Sequence, residues 1–177
     1  MSLKLHLACG NNVIPGWINI DGSPGPGKTQ ADLTKPLQYA DRSVAFIYTE
    51  HFIEHLTREQ GIEFLKECRR ILKNEGVIRI STPDLSTLVN DFVCNKLDRW
   101  SSLGWKPESR AQLVNEGMRL WGHLYLYDRG ELVKSLSLAG FDRGFRKQYK
   151  SSTYPELAGL ESRPDCDDLI YETSPLF

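Results

Sequence analysis

Apolar residues along this chain fall into short clusters separated by polar, glycine and proline breaks. Lys4 to Ala8 (KLHLA) reads as a short strand running into the turn-forming Cys9-Gly10-Asn11-Asn12. Trp17 to Ile20 (WINI) predicts a second strand, closed by Asp21. The GSPGPGK segment that follows is the richest in proline and glycine and must be a loop. Gln30 to Leu33 marks the weak end of a third strand. Val44 to Thr49 (VAFIYT) is apolar on both faces, as a central parallel strand should be. Thr57 opens a T-x-x-Q capping pattern ahead of Ile62, Leu65, Cys68 and Leu72 at helical spacing. Asn74-Glu75-Gly76 should stop that helix, and Gly76 to Ser81 then forms the next strand. Asp84 caps a helix toward Asn95, and Asp128, with Glu131 three residues on, caps one ending near Gly140. Phe145 to Tyr149 and Leu169 to Glu172 read as two final strands.

Strands alternating with helices predict an α/β fold: a Rossmann-like, doubly wound, mostly parallel sheet of six to seven strands. The length suits a single domain over residues 1–177. Ligands of such sheets bind at the carboxyl ends of the strands, which directs attention to Cys9-Gly10-Asn11, Asp21, Asp32-Leu33, Glu50-His51 and Pro83-Asp84. A formal net charge of −1 gives no general pull toward nucleic acid or an anionic membrane, and neither is expected as a partner. No apolar run approaches the ~20 residues that span a bilayer. Without a secretory leader at the start, the expected location is cytoplasmic. Cys9, Cys68, Cys94 and Cys166 form no C-x-x-C pair, so buried or half-buried free thiols are expected rather than disulfides or a zinc site.

The strand ends resemble those of class I S-adenosylmethionine-dependent methyltransferases. LHLACGN is similar to that family's first motif, INID to its second strand with a terminal acid, and ADL to its adenine-contacting turn. CRRILKNEGVIRISTPDL is similar to its later helix and fifth strand, and HLYLYDRGELVKSLSLAGF gives further support. Within the superfamily the chain is most similar to a compact group known only as predicted methyltransferases. The resemblance implies S-adenosylmethionine as cofactor, held by Ala8, Cys9, Gly10, Asn11, Asp21, Asp32, Leu33, Thr49 and Glu50. Asp21 would take both ribose hydroxyls, chemistry that suits one carboxylate; the competing role is a turn-capping residue before Gly22. For Asp32 the two roles are evenly matched. Three features depart from the family. The turn has Gly10 but Ala8 and Asn12 at its other glycine places, and Ala45 stands where many relatives carry an acid. Only eight residues, Cys9 to Gly16, separate the first two strands. A parallel crossover ordinarily needs a dozen or more, so the first helix must be cut to a turn and the methionine end of the cofactor left more open.

The stretch TEHFIEHLT holds His51, Glu54 and His55, which spell H-x-x-E-H. A zinc-peptidase reading needs a continuous helix through the motif, yet a strand immediately precedes it. HFIEHL also resembles E-x-x-E-H of ubiquinone-type and small-RNA O-methyltransferases, where those groups and a later histidine can hold a divalent ion; His123 is the later histidine here. The plain alternative is a polar helix start, with Glu54 favourable near the N-terminus. No tightly held metal is expected.

These readings converge on transfer of a methyl group from S-adenosylmethionine to an oxygen or nitrogen of a small-molecule or saccharide acceptor. His51 is the first choice for a base and His123 the second, with Glu54 beside them. A non-catalytic nucleoside-binding or interaction module retaining the fold is the alternative. His6 is expected to be structural, and Trp100, Trp105 and Trp121 to cover the pocket or form core. GSPGPGK and the segment from Trp100 to Gly117 are expected to be mobile without ligand.

Overall fold

In the computed structural model, which describes residues 2–142, 144–165 and 167–175, seven strands form one sheet. They are β1 (Leu3–Leu7), β2 (Ile18–Asp21), β3 (Thr29–Gln30), β4 (Val44–Glu50), β5 (Leu72–Thr82), β6 (Phe145–Arg146) and β7 (Leu169–Thr173). The spatial order is β3-β2-β1-β4-β5-β7-β6. β1 to β5 pair in parallel, and β7 runs antiparallel to both β5 and β6. The order reverses between β1 and β4, so their carboxyl ends flank the topological switch point where such sheets bind ligands.

Four α-helices accompany the sheet among the described residues: α1 (Arg58–Ile71), α2 (Leu85–Cys94), α3 (Arg110–Arg119) and α4 (Arg129–Leu138). Thr57 caps α1 through the reciprocal bonds with Gln60 that the T-x-x-Q pattern predicts. Phe64, Leu65, Cys68 and Ile71 give α1 a buried face. The helix does not run on to Asn74. It stops at Ile71, and β5 begins at once because Leu72 already pairs with Val44. A register irregularity between Val44 and Phe46 takes up the extra residues. Phe145 to Tyr149 contributes only two residues to the sheet, since the Gln148 and Ser151 carbonyls turn to accept from the Arg79 guanidinium.

The short first crossover is real, and a side chain stands in for the missing helix. Asn19 accepts the Ile14 N–H at 2.9 Å and donates to the Ile14 and Trp17 carbonyls, both at 3.1 Å. His6 lies 3.2 Å from the same amide oxygen and is 1% exposed, the structural role expected of it. Beside the main core, Leu88, Trp100, Trp105 and Leu113 form a smaller buried cluster. The segment read as mobile thus contains most of α3, whose apolar residues are too sparse for a clear helical signal. Cys9 and Cys68 are buried free thiols, whereas Cys94 is exposed, contrary to expectation; Cys166 lies outside the described residues. No helix among the described residues is long and apolar enough to cross a membrane.

Candidate active site

At the carboxyl end of β1 the chain turns sharply, with Ala8 at φ +56° and Gly10 at φ +54°. A left-handed glycine is unstrained, but a left-handed alanine is not. Asp21, at the end of β2, accepts the Gly10 N–H at 2.8 Å, the Ser23 N–H at 2.9 Å and the Ser23 hydroxyl at 2.6 Å. Lys28 reaches back from the glycine-proline loop, donating to the Gly10 carbonyl at 2.9 Å, with its ammonium 3.6 Å from Asp21. Burial alone would raise the Asp21 carboxyl, but the bonds from Ser23 and Gly10 and the Lys28 charge hold it below the usual range.

Two grooves join at this turn. One, of about 660 Å³, is lined by His6, Ala8 to Asn12, Asp21, Glu50 to Phe52, Ser162 and Arg163. The other continues past Asp21 along Gly22, Ala31, Asp32, Leu33 and Phe52 to His55. Together they give a carboxylate between a glycine turn and a partly apolar slot. That donor set fits a nucleoside: vicinal hydroxyls at Asp21 and a flat base between Leu33 and Phe52. Asp32 is engaged locally, its Oδ1 accepting the Thr34 N–H at 2.9 Å and the Thr34 hydroxyl at 2.6 Å. Thr49 is 1% exposed and lines none of these surfaces. Glu50 borders the groove, but its carboxylate accepts from the Ser162 and Arg163 backbones and the Ser162 hydroxyl.

The chain then bends at His51, a non-glycine residue at φ +51° whose N–H bonds the Ser81 carbonyl at 2.8 Å. No helix runs through the H-x-x-E-H stretch: only a short 3-10 turn spans Ile53–His55, which removes the geometry of a zinc-peptidase helix. His51 Nε2 lies 2.7 Å from Asp168 Oδ2, and Nδ1 lies 3.3 Å from Glu54 Oε1. Burial pulls its pKa down, but the Asp168 and Glu54 carboxylates prevail and raise it to about 9. His51 is therefore an imidazolium at neutral pH, with both nitrogens facing acids. Glu54 is fully buried, and its Oε2 accepts the Thr82 hydroxyl at 3.0 Å.

His55 turns instead toward His123, with ring centroids 5.2 Å apart. His123 Nδ1 donates to the Gly117 carbonyl at 3.0 Å, so the neutral ring keeps its Nε2 lone pair. Burial lowers its pKa, which leaves it uncharged at neutral pH. Glu54, His55 and His123 each bring one ligating atom within 4.8 Å of the others; this trio, rather than a set including His51, could hold a divalent ion. Next to them lies a pocket of about 270 Å³ whose walls include His51, His55, Trp100, Trp105, Trp121, His123 and Arg163. Trp100 and Trp105 serve core and pocket together. Trp121 is 52% exposed and left-handed at φ +61°.

Sequence reasoning did not find Asp168, Lys28, Ser162 or Arg163. None sits in a recognisable motif, and each reaches the site only through the tertiary fold.

A family model described as a methyltransferase domain matches residues 9–80. No curated protein matches the sequence. Among solved structures, the fold is similar to that of a SAM-dependent methyltransferase from Thermotoga maritima, described as a possible histamine N-methyltransferase. The two share 16% identity at a TM-score of 0.64, covering 99% of this chain and 83% of that one. A SAM-dependent methyltransferase from Archaeoglobus fulgidus is also similar, at 16% identity and a TM-score of 0.59, covering 98% of this chain and 86% of the other. The chain thus shares with known proteins a methyltransferase-domain match over residues 9–80 and, over nearly all its length, the fold of SAM-dependent methyltransferases.

Proposed function

We propose that the chain transfers a methyl group to an oxygen or nitrogen of a small-molecule or saccharide acceptor seated in the tryptophan-lined pocket. One observation carries this reading: the nucleoside groove and that pocket meet, sharing His51, His55 and Arg163 as common walls. When bound, the cofactor supplies a methyl carbon on a sulfonium, already a good leaving group. The protein is then left chiefly with positioning. Asp21 would hold the ribose, Asp32 and Leu33 would border the base, and Ala8 to Asn11 would face the amino-acid arm.

An acceptor hydroxyl also needs somewhere to send its proton. His51 was the first candidate, but a pKa of about 9 keeps it protonated. His123, neutral and with Nε2 free, is the better proton acceptor, while His51 and Glu54 fix the junction between the two spaces. The reading needs no metal. Near-stoichiometric zinc or iron in protein purified without chelator, lost in His55→Ala, would replace it with a metal-assisted one. The small acceptor pocket favours small ligands over nucleic acid, and the free thiols suit the cytoplasm.

Calorimetric titration with S-adenosylhomocysteine tests the assignment. Asp21→Ala should weaken binding by on the order of 1.5–3 kcal/mol, the range for hydrogen bonds to a charged group. Unchanged affinity in a folded variant would remove Asp21 from the ribose site. No binding by the unaltered protein would instead favour an interaction module that retains the fold.

A further inference from the structure

The glycine turn has few backbone donors left for a ligand. The Cys9 N–H donates to the Ile20 carbonyl at 3.0 Å, the Gly10 N–H to Asp21 at 2.8 Å and the Asn12 N–H to the Cys9 carbonyl at 2.8 Å. Of residues 9–12 only Asn11 keeps an N–H without a partner among the described residues. A normal first crossover would also present the start of a helix here, with its own free N–H groups; this chain has none. A carboxylate on the amino-acid arm of the cofactor therefore needs a cation from elsewhere.

The cations near this groove can be sorted by what they already hold. Lys28 is engaged with the Gly10 carbonyl, Ser23 and Asp21. His51 stands between Asp168 and Glu54. The Arg163 guanidinium has no ion-pair or hydrogen-bond partner among the described residues, although Arg163 borders both the groove and the tryptophan pocket.

Its backbone, by contrast, is held on every side. Glu50 accepts the Arg163 N–H at 3.3 Å and the preceding Ser162 N–H at 3.1 Å, and the Arg163 carbonyl accepts the Tyr149 hydroxyl at 2.7 Å. Just upstream, Glu161 pairs with fully buried Arg79 at 2.6 Å. A segment so firmly pinned, carrying an exposed arginine that borders the groove and has no side-chain partner among the described residues, has the character of a positioned anion receptor.

We infer that Arg163 pairs with the carboxylate of the methionine arm of the bound cofactor, replacing the donors that the short crossover removed. This rests on the methyl-donor reading above. The test compares two ligands that differ in the arm: S-adenosylhomocysteine, which has it, and 5′-methylthioadenosine, which lacks it. In calorimetric titrations, Arg163→Ala should weaken the first by about tenfold and leave the second within about twofold. Arg163→Lys should recover part of the loss. Undiminished binding of S-adenosylhomocysteine to Arg163→Ala would overturn the assignment and direct the guanidinium to an anionic acceptor. Equal losses for both ligands would reduce Arg163 to a structural role. If the unaltered protein binds 5′-methylthioadenosine as tightly as S-adenosylhomocysteine, the arm is not read at all. Binding of neither ligand would remove the donor reading itself.

Discussion

Ala8 carries a side chain in a left-handed conformation at φ +56°, which glycine adopts without the strain of a β-carbon. Ala→Gly usually costs stability, because glycine has more freedom to lose on folding. Here relief of strain opposes that cost, so Ala8→Gly should range from neutral to about 1 kcal/mol more stable in denaturant titration. A loss of stability would show that the turn is unstrained. His123 makes a second prediction at this scale. Burial holds its pKa below the ordinary histidine value, so methyl transfer that depends on it should rise through the mildly acidic range and level off by neutral pH. His123→Gln, which cannot take up a proton, should abolish that rise. If the profile persists in the variant, another group is the proton acceptor.

At the scale of elements, the decisive contact joins β5 to the C-terminal segment. Arg79 sits on β5 with no exposed surface, facing Glu161 at 2.6 Å and Glu172 of β7 at 2.5 Å. Its guanidinium also satisfies the Ser151 carbonyl at 2.9 Å. Breaking a buried ion pair from one side leaves uncompensated charge, so Arg79→Met should cost about 3–5 kcal/mol. The denaturant midpoint reads this directly, and a loss under 1 kcal/mol would mean that water or Lys147 neutralises the two acids. The loss should also loosen the segment that carries Ser162 and Arg163, so weaker S-adenosylhomocysteine binding should accompany it in protein that remains folded.

For the whole molecule, the His51–Asp168 pair ties the switch point to the last turn before β7. The folded pKa of about 9 lies above the ordinary value of 6.5. The stabilisation is thus complete below about pH 6.5 and is lost as pH climbs through about 9. A loss on the order of 1–3 kcal/mol between pH 6.5 and 10 is expected, and His51→Ala should flatten that part of the curve. Stability that holds constant across the range would mean that the pair is not ionised as described. Hydrogen exchange should show the GSPGPGK loop exchanging faster than β4 despite its Lys28 anchor, and slowing when S-adenosylhomocysteine binds.

The sequence by itself determined the alternation of strands and helices, the capping of α1, α2 and α4, the truncated crossover, and an acid at the end of β2. Each is written in neighbouring residues, through side-chain periodicity, turn chemistry and cap spacing, so no distant contact is needed to read it. Even there, the boundary between α1 and β5 moved, because pairing of Leu72 with Val44 outweighed the local stop signal. The site was legible only as strand ends. That Glu50 holds the backbone of Ser162 across 112 residues, or that His51 meets Asp168 across 117, is set by which elements the sheet order brings together. The same packing raises the pKa of His51 and lowers that of His123, because ionisation answers to burial and charged neighbours rather than to position in a motif.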